Sequence, residues 1–173
     1  MAVSQLQRAS GRPHPVGHLS FALEPFASYY QEAVDEGLLR MHWAEVAPHK
    51  DIFWLNPNLA FYYQAAEKDI LHIVTARSGG RLVGHVWMML HPHLHYRHAK
   101  VAREDIHFLH PDYRKGFNAM HLFRATEDMM RELGAVLIVL GHKVNSDHGA
   151  LFKRMGYSPL DITYSKRLDG ENP

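Results

Sequence analysis

Hydrophobic and polar positions repeat with two different periods along this chain, and each period predicts one kind of element. Short runs of apolar and β-branched residues, bounded by glycine, proline or polar residues, predict strands. Such runs lie at 19–23, 70–77, 81–90, 101–109, 135–140 and 157–167. Apolar residues that recur every three or four positions predict amphipathic helices. These helices cover 27–46, broken near Gly37, and then 59–68, 117–133 and 145–155.

The order of these elements predicts an α/β (α+β) fold. Gly79 and Gly80 connect two strand-like runs, and glycine accepts the positive φ of a tight hairpin turn, so those strands are expected to be antiparallel. The strand at 101–109, the helix at 117–133 and the strand at 135–140 form a β-α-β unit, whose strands are expected to be parallel. We therefore expect a mixed, mostly antiparallel central sheet with one parallel unit, flanked by helices.

Composition and charge restrict the classes of function. The 173 residues contain 19 Lys and Arg, 18 Asp and Glu and 15 His, and the net charge of +1 gives no strong attraction to nucleic acid or a membrane surface. The absence of cysteine excludes disulfides, cysteine-ligated metals and thiol catalysis, and it fits a reducing compartment. No apolar run approaches the ~18 residues of a membrane-spanning helix, and 1–15 has no signal-peptide core. We expect a cytoplasmic protein with one domain at 19–168, a flexible N-terminal tail at 1–18 and a C-terminal tail at 169–173.

The segment 108–119, FLHPDYRKGFNA, follows a predicted strand and opens the longest predicted helix. A helix N-terminus presents unpaired N–H groups and the positive end of the helix dipole. Gly116 allows close backbone approach, and Arg114 and Lys115 add positive charge, so the segment predicts a phosphate site. Neither GxxxxGK[ST] nor GxGxxG is present, which excludes a P-loop and a dinucleotide fingerprint. From these residues alone, a solvated basic turn before a surface helix is an equal alternative.

The order of elements and two phrases, FLHPDYRKG and LFKRMGY, resemble the GNAT-type N-acetyltransferase superfamily over 19–168. The phrase DIHFLHPDYRKG with the later GHKVNSDHG is also similar to members encoded by tailed bacteriophages. The resemblance implies a GNAT-like fold, acetyl-CoA as co-substrate and direct transfer of an acetyl group to an amine acceptor. The acceptor class stays open between a small molecule, a protein and a modified nucleobase. Members of the family often dimerise, so the resemblance allows a homodimer and leaves the oligomeric state open.

In that family the loop amides bind the CoA pyrophosphate, and the preceding strand separates from its neighbour to admit the pantetheine arm. The positions that match the phosphate-binding loop are Tyr113, Arg114, Lys115, Gly116, Phe117, Asn118 and Ala119. The positions that match contacts with the pantetheine arm are Phe108, Leu109, His110 and Asn145. Tyr113 and Asn118 depart from the usual loop pattern, which has Gln or Arg and then Gly or Ala. Phe152 stands on the cofactor side where many relatives carry a tyrosine acid, and phenylalanine cannot donate a proton.

Acetyl transfer to an amine needs a base for the amine proton and donors for the oxyanion. Glu104 and Asp105 are adjacent on a predicted strand, so their side chains point to opposite faces unless a bulge intervenes. Glu104 is the favoured base or amine-binding carboxylate, with Asp105 as the alternative, and either can instead be a structural acid. His107 shares the face of Asp105 in a regular strand and is a second candidate base. Tyr164 on the predicted last strand is a candidate acid.

The histidine-rich segment 91–100 suggests metal binding at first sight, because His91, His93 and His95 would share one face of a strand. No carboxylate or cysteine accompanies them at ligand spacing, and Pro92 interrupts a strand ladder. We therefore predict a loop or frayed strand end with solvated or packing histidines, and no metal site. Two alternatives to the enzyme remain: a non-catalytic GNAT-like module that binds CoA or a partner, and a histidine-rich metal-binding protein.

Overall fold

A five-stranded sheet lies at the centre of the computed structural model, which describes residues 18–168. Its strands are β1 (Leu19–Glu24), β2 (Leu71–Ser78), β3 (Arg81–Pro92), β4 (Lys100–Leu109) and β5 (Ala135–Val139), paired in that order. Neighbouring strands are antiparallel except β4 and β5, which are parallel. The predicted mixed sheet, with its hairpin and its parallel β-α-β unit, is therefore confirmed.

Five α-helices and one short 3₁₀ turn complete the described part of the chain. They are α1 (Phe26–Asp35), α2 (Leu38–Val46), α3 (Leu59–Glu67), the 3₁₀ turn Pro111–Tyr113, α4 (Asn118–Glu132) and α5 (Gly149–Arg154). Gly37, with φ +70°, separates α1 from α2 where the sequence predicted a break. Asn58 caps α3 by accepting a hydrogen bond from the Phe61 N–H. No helix within 18–168 has the length and apolar character needed to span a bilayer.

These residues form two compact units, one that ends at Gly141 and one that begins at His142. The sheet and α1 to α4 belong to the first unit, and α5 belongs to the second. The tails predicted at 1–18 and 169–173 lie outside the described residues, apart from His18. The single domain predicted for 19–168 stays a prediction.

Helices α1 to α3 cover one face of the sheet and α4 lies against the other. Ile73, Trp87 and Phe108 belong to one buried cluster with the apolar residues of α1, α2 and α3. Within it, the indole N–H of Trp87 donates to the hydroxyl of Tyr29 at 2.9 Å. Alternate strand residues such as Val86 point to the opposite face, where α4 packs and buries its own apolar stripe. Both faces of the central strands are therefore buried.

Strands β3 and β4 approach closely near the end of β4. Gly84 pairs with Leu109, and a Cβ at Gly84 would lie 2.8 Å from the Phe108 carbonyl oxygen and 2.8 Å from Leu109 Cδ1. Real Cβ contacts are longer than this, so the packing requires glycine at this position.

Two sequence predictions differ from the structure. Strand β3 continues through His91 to Pro92, because proline is tolerated at a strand end, and only the turn after it is irregular. No strand forms at 157–167 in the described chain, although the alternation there predicted one. Leu160, Ile162 and Tyr164 are 62%, 81% and 88% exposed. Without a buried face or a paired neighbour, that alternation does not make a strand.

Candidate active site

Strand β4 separates from β5 part of the way along its length. The parallel pairing joins Lys100–Arg103 to Ala135–Val139, where β5 ends, while β4 continues to Leu109. The second half of β4 is therefore paired with β3 only. We call the opening on its other side the β4–β5 gap. Such an opening is what the family resemblance implied for this strand.

The backbone N–H and carbonyl groups of Leu109 point toward this gap. The N–H of His110 donates to the Val83 carbonyl of the preceding β3 region at 2.8 Å. The N–H and C=O groups of successive residues point to alternate sides of a strand. Those of Phe108 therefore point toward β3, like the N–H of His110, and those of Leu109 point away from β3. The Leu109 carbonyl accepts a hydrogen bond from Arg114 Nε at 2.7 Å on that side. The Leu109 N–H therefore points into the β4–β5 gap.

A β-bulge lies in the middle of β4. Trp87 pairs with Ile106 and the next residue, Met88, pairs with Glu104, so Asp105 is an extra residue in the strand. The bulge places Asp105 and Ile106 together on the face covered by α1 to α3. Glu104 and Asp105 therefore point to opposite faces, as strand alternation predicted. The expectation that His107 shares the face of Asp105 is wrong, because the extra residue moves His107 to the face of Glu104.

The same bulge brings Glu104 and His107 together on the other face. His107 Nδ1 lies 2.7 Å from Glu104 Oε1, and the imidazole packs edge-on against Phe123 of α4. Glu104 Oε2 accepts a hydrogen bond at 2.8 Å from the N–H of Gly141, just beyond β5. The side chain of His107 is 15% exposed and that of Glu104 is 9% exposed, and the pair lies at the point where β4 and β5 separate. With Nδ1 donating to Glu104, the Nε2 of His107 carries the lone pair of a base.

Asp105 has a different partner on the opposite face. Its Oδ2 accepts a hydrogen bond at 2.8 Å from the hydroxyl of Tyr62 on α3. The Tyr62 ring packs edge-on against Trp87, with centroids 4.9 Å apart. Burial, followed by the negative charge of Asp105, raises the pKa of Tyr62 well above its usual value, so the hydroxyl remains a donor. Asp105 itself is exposed, so its carboxylate is more accessible to a cationic group than that of Glu104.

The loop at 110–117 leads into α4 and leaves backbone donors open. Gly116 has φ +57°, and a Cβ placed there would meet nothing within 4 Å. Helix α4 has no side-chain cap, and the N–H groups of Gly116, Ala119 and Met120 find no acceptor among the described residues. Asn118 instead stabilises the loop, since its side-chain amide donates to the Tyr113 carbonyl at 3.0 Å. This is the arrangement of an anion site at a helix N-terminus.

Other residues of the predicted set serve the loop itself. Tyr113 is buried, and its N–H donates to the His110 carbonyl at 2.9 Å. Phe108 and Leu109 are also buried, and of the two only Leu109 has its backbone N–H on the side of the gap. Lys115 and Phe117 are exposed. His110 accepts from the Asp112 N–H, and burial lowers the pKa of His110 further than the Asp112 charge raises it.

Arg114 is already engaged by the protein. Its Nη1 and Nη2 donate to the two carboxylate oxygens of Glu45 on α2, at 2.8 and 2.6 Å. Its Nε donates to the Leu109 carbonyl, and its guanidinium lies over the Phe108 ring, 5.1 Å from the centroid. The positive charge of Arg114, which the sequence analysis predicted to bind a phosphate, is therefore balanced by the Glu45 carboxylate in this structure.

Three predicted site residues belong to the second unit. Asn145 is exposed in a turn closed by the Lys143–Ser146 bridge. Phe152 of α5 is buried and packs against Tyr157, with ring centroids 5.6 Å apart. Tyr164 lies outside any strand, which corrects the expectation that a last strand carries it. The roles assigned to these residues stay predictions.

One cavity and the histidine-rich turn lie away from these residues. A cavity of about 420 Å³ is lined by the ends of β1 and α3 and the starts of α1 and β2, at the opposite end of the sheet from the 110–117 loop. No predicted site residue lines it. In the histidine-rich turn, His93 stacks on Tyr96. Within 18–168 no group of three or more His, Cys, Asp or Glu is arranged to hold a metal ion.

Three contacts of the site were not predicted from the sequence. They are the hydrogen bonds made by Tyr62 and by Gly141, and the ion pair of Glu45 with Arg114. Tyr62 is 43 positions from Asp105, and Glu45 is 69 positions from Arg114. Gly141 contributes only its backbone N–H. The sequence contains no local pattern for such contacts, because each depends on the packing of distant elements.

Comparison with known proteins finds similarity in structure and none in sequence. No protein-family model matches the chain, and no curated protein matches it. The ribosomal-protein-alanine N-acetyltransferase from Brucella melitensis biovar Abortus 2308 superposes with a TM-score of 0.63 at 18% identity, over 87% of this chain and 99% of that one. An aminoglycoside acetyltransferase from an uncultured soil metagenomic sample gives 0.65 at 15% identity, over 88% and 99%. A "predicted acetyltransferase with acetyl-CoA" from Clostridium acetobutylicum gives 0.62 at 10% identity, over 87% and 97%.

Proposed function

We propose that this chain, which has the mixed α/β fold of the GNAT acetyltransferases, transfers an acetyl group from acetyl-CoA to an amine. The observation that carries the proposal is the β4–β5 gap with the Glu104–His107 pair at the point where the strands separate. A base beside an open strand edge is what amine acylation requires. The neighbouring structures named as acetyltransferases support the same reaction class.

The residues around the gap fit acetyl-CoA, which supplies an activated acetyl thioester when bound. The open N–H groups of Gly116, Ala119 and Met120 are donors for its phosphates. The unpaired edge of β4 offers peptide groups to its amide-containing arm. The side chains of Tyr113 and Arg114 already have protein partners, so we assign phosphate binding to the backbone of the loop.

The chain's own groups then handle the protons and the developing charge. His107 Nε2 accepts a proton from the acceptor ammonium, and Glu104 orients the ring and stabilises the imidazolium. The Leu109 N–H is the donor for negative charge on the acyl oxygen. A C–N bond forms and a C–S bond breaks; of the two protons that the ammonium loses, one ends on sulfur and one in solvent. Asp105 is the alternative base, and Tyr164 stays the candidate acid.

The acceptor is proposed only as an amine. The neighbouring structures are named for a ribosomal-protein alanine and for aminoglycosides, so both a protein terminus and a small polyamine are acceptors to screen. A modified nucleobase stays a third class. The bacteriophage similarity, the cytoplasmic location and the homodimer stay predictions.

Titration with acetyl-CoA by calorimetry tests the proposal, with Gly116→Trp as the blocked loop. Gly79→Trp is the matched control, because Gly79 has φ +56° and equally open space around its Cβ, but lies in the β2–β3 turn. We expect micromolar binding by the wild type and by G79W, and at least tenfold weaker binding by G116W. Acetylation of an amine panel by the wild type then completes the test.

Two outcomes would contradict the enzyme. No heat and no thermal shift with any acyl-CoA would remove the cofactor and the reaction with it. Binding that is lost in G116W, but without turnover of any amine, would favour the non-catalytic CoA-binding module.

A further inference from the structure

Arg114 joins three elements at the end of β4. Its side chain forms a two-pronged ion pair with Glu45 of α2, donates to the Leu109 carbonyl of β4, and extends from the 110–117 loop. Its guanidinium also covers the Phe108 ring. Helix α2 also contacts the Phe108 ring directly, through His42, at 5.9 Å between centroids. One guanidinium therefore connects the loop, the strand edge and the helix beside them.

From this geometry we propose that Arg114 and Glu45 form a clamp that positions the 110–117 loop and Leu109, and that Arg114 is not a phosphate ligand. The inference rests on the proposed function, since the loop and Leu109 are the groups assigned to acetyl-CoA. Arg114 therefore acts as a positioning residue.

The ion pair with Glu45 occupies the two N–H donors of Arg114 that a phosphate would need. A guanidinium binds a carboxylate or a phosphate with the same two parallel N–H groups, and here Glu45 occupies them at 2.8 and 2.6 Å. Binding a phosphate there would leave Glu45, which is 35% exposed, without its cation and beside a second anion. While the clamp is formed, Arg114 balances the negative charge of Glu45 beside the loop. The backbone N–H groups of the loop stay available to bind phosphate.

The contact with Leu109 gives the clamp its second effect. The Leu109 carbonyl is held by Arg114 Nε, so the orientation of the adjoining peptide groups, including the N–H that points into the gap, depends on the same side chain. Loss of either clamp partner should therefore weaken acetyl-CoA binding, even though Glu45 is negatively charged and cannot attract a phosphate.

The sign of the effect at Glu45 distinguishes the clamp from a phosphate ligand. We would measure the acetyl-CoA Kd by calorimetry, and KM and kcat by turnover, for E45Q, R114Q and E45Q/R114Q. The clamp predicts about tenfold weaker binding for each single variant and no further loss in the double variant, because the two residues act as one unit. KM for acetyl-CoA should rise more than kcat falls. Should R114Q fail to fold, R114K replaces it, since lysine keeps the charge but not the fork.

Glu32→Gln is the matched control. Glu32 is 36% exposed and pairs with both Nη atoms of Arg77 at 2.7 and 2.6 Å, as Glu45 does with Arg114, but it links α1 to β2. Arg77 also keeps Glu24 as a second carboxylate partner, so E32Q should lower the thermal unfolding temperature no more than E45Q does, and it should leave the acetyl-CoA Kd unchanged. A merely structural role for Glu45 would leave the Kd unchanged in both variants.

Three results would overturn the clamp. Unchanged or tighter binding by E45Q, with weaker binding by R114Q, would make Arg114 a phosphate ligand that Glu45 restrains. An acetyl-CoA Kd that stays unchanged in E45Q and R114Q, as in E32Q, would leave the pair structural. A wild type that binds no acetyl-CoA would overturn the proposed function and the clamp together, whereas the first two results leave the proposed function intact.

Discussion

At the scale of single residues, the candidate site depends on how Glu104 is held. One carboxylate oxygen accepts from Gly141 and the other faces His107, so the side chain has little freedom to turn. A carboxylate in this position orients an imidazole and stabilises its charged form more effectively than it removes a proton itself. We therefore propose His107 as the base, and Asp105, which accepts a hydrogen bond from Tyr62, as a contact for the acceptor.

Substitution should separate the three candidate bases. His107→Gln should lower kcat by about 10²- to 10⁴-fold, the usual contribution of a general base. Glu104→Gln should lower kcat by at least about tenfold, because the amide no longer stabilises the imidazolium. Asp105→Asn should act mainly on the KM of the amine. Steady-state kinetics at several pH values measures all three, and a larger loss of kcat in D105N than in H107Q would move the base to Asp105.

The residues of this site were only partly predictable. Glu104, Asp105 and His107 stand out in the sequence because ionisable groups lie together beside a basic, glycine-containing loop. The opposite faces of Glu104 and Asp105 followed from strand alternation, but the face of His107 did not, because one extra residue enters the strand between it and Glu104. Arg114 was identified as a cation, but its partner comes from a helix far away along the chain.

At the scale of elements, the bulge in β4 is the feature that organises the site. It brings Glu104 and His107, three positions apart, within 2.7 Å, and it lies where the pairing with β5 stops. Bulges bend a strand and increase its twist. The bend and the separation of the two strands therefore occur at the same place.

Deletion of Asp105 tests the bulge itself. Glu104 and Ile106 would then pair with Met88 and Trp87 without an extra residue, and every other side chain of β4 would keep its face. We expect a folded protein, by thermal unfolding, whose kcat/KM is at least about tenfold lower, because Glu104 and His107 would be two residues apart along a regular strand. Asp105→Gly is the control that removes the carboxylate and keeps the bulge. Equal activity of the deletion and D105G would show that the bulge has no role.

Elements with a strong local pattern were predicted well and the others were not. The β2–β3 hairpin has two glycines with φ +56° and +86° in its turn, and α4 has a continuous apolar stripe, so both followed from the sequence. The strand predicted at 157–167 did not form, because a strand also needs a paired neighbour that no local pattern supplies. Strand β3 extended past its predicted end for the converse reason, since β4 was there to pair with it.

At the scale of the whole molecule, the buried side chain of His85 lowers the free energy of unfolding. Its side chain is 0% exposed, packed among Tyr29, Trp87 and Phe108, and neither ring nitrogen has a hydrogen-bond partner among the described residues. Burial, with smaller contributions from the charges of His42 and His107, lowers the pKa of His85 well below its usual value. The folded chain therefore keeps His85 neutral.

The pH dependence of stability follows from that shift. The unfolded chain protonates His85 near its ordinary pKa of about 6.5 and the folded chain does not, so this residue favours unfolding increasingly as the pH falls below about 6.5. His85→Leu should raise the free energy of unfolding by about 1–3 kcal/mol at pH 7.5, because an unpartnered polar ring leaves the core. The gain should grow between pH 6.5 and 5.5, as measured by urea denaturation.

His72→Leu is the control for this prediction. His72 is 9% exposed, but its Nε2 lies 3.1 Å from the Asp69 carbonyl, so its replacement loses a hydrogen bond. We expect H72L to be less stable than the wild type by about 1 kcal/mol at pH 7.5. A destabilised H85L would mean that the buried imidazole contributes favourable packing that outweighs its missing partners.

The glycine at position 84 has a consequence for how this sequence can change over generations. Its α-hydrogen faces the Phe108 carbonyl at a distance that no methyl group tolerates, and Leu109 lies equally close. Any other residue there must push β4 away from β3 at the end that carries both the Leu109 N–H and the 110–117 loop. In a library of all single substitutions selected for acetylation, position 84 should therefore be as restricted as the ionisable residues, although it offers no reactive group. At Gly79 and Gly80 an added Cβ meets nothing within 4 Å, so these positions should be restricted by their positive φ alone and should accept asparagine or aspartate, which adopt it more readily than other residues.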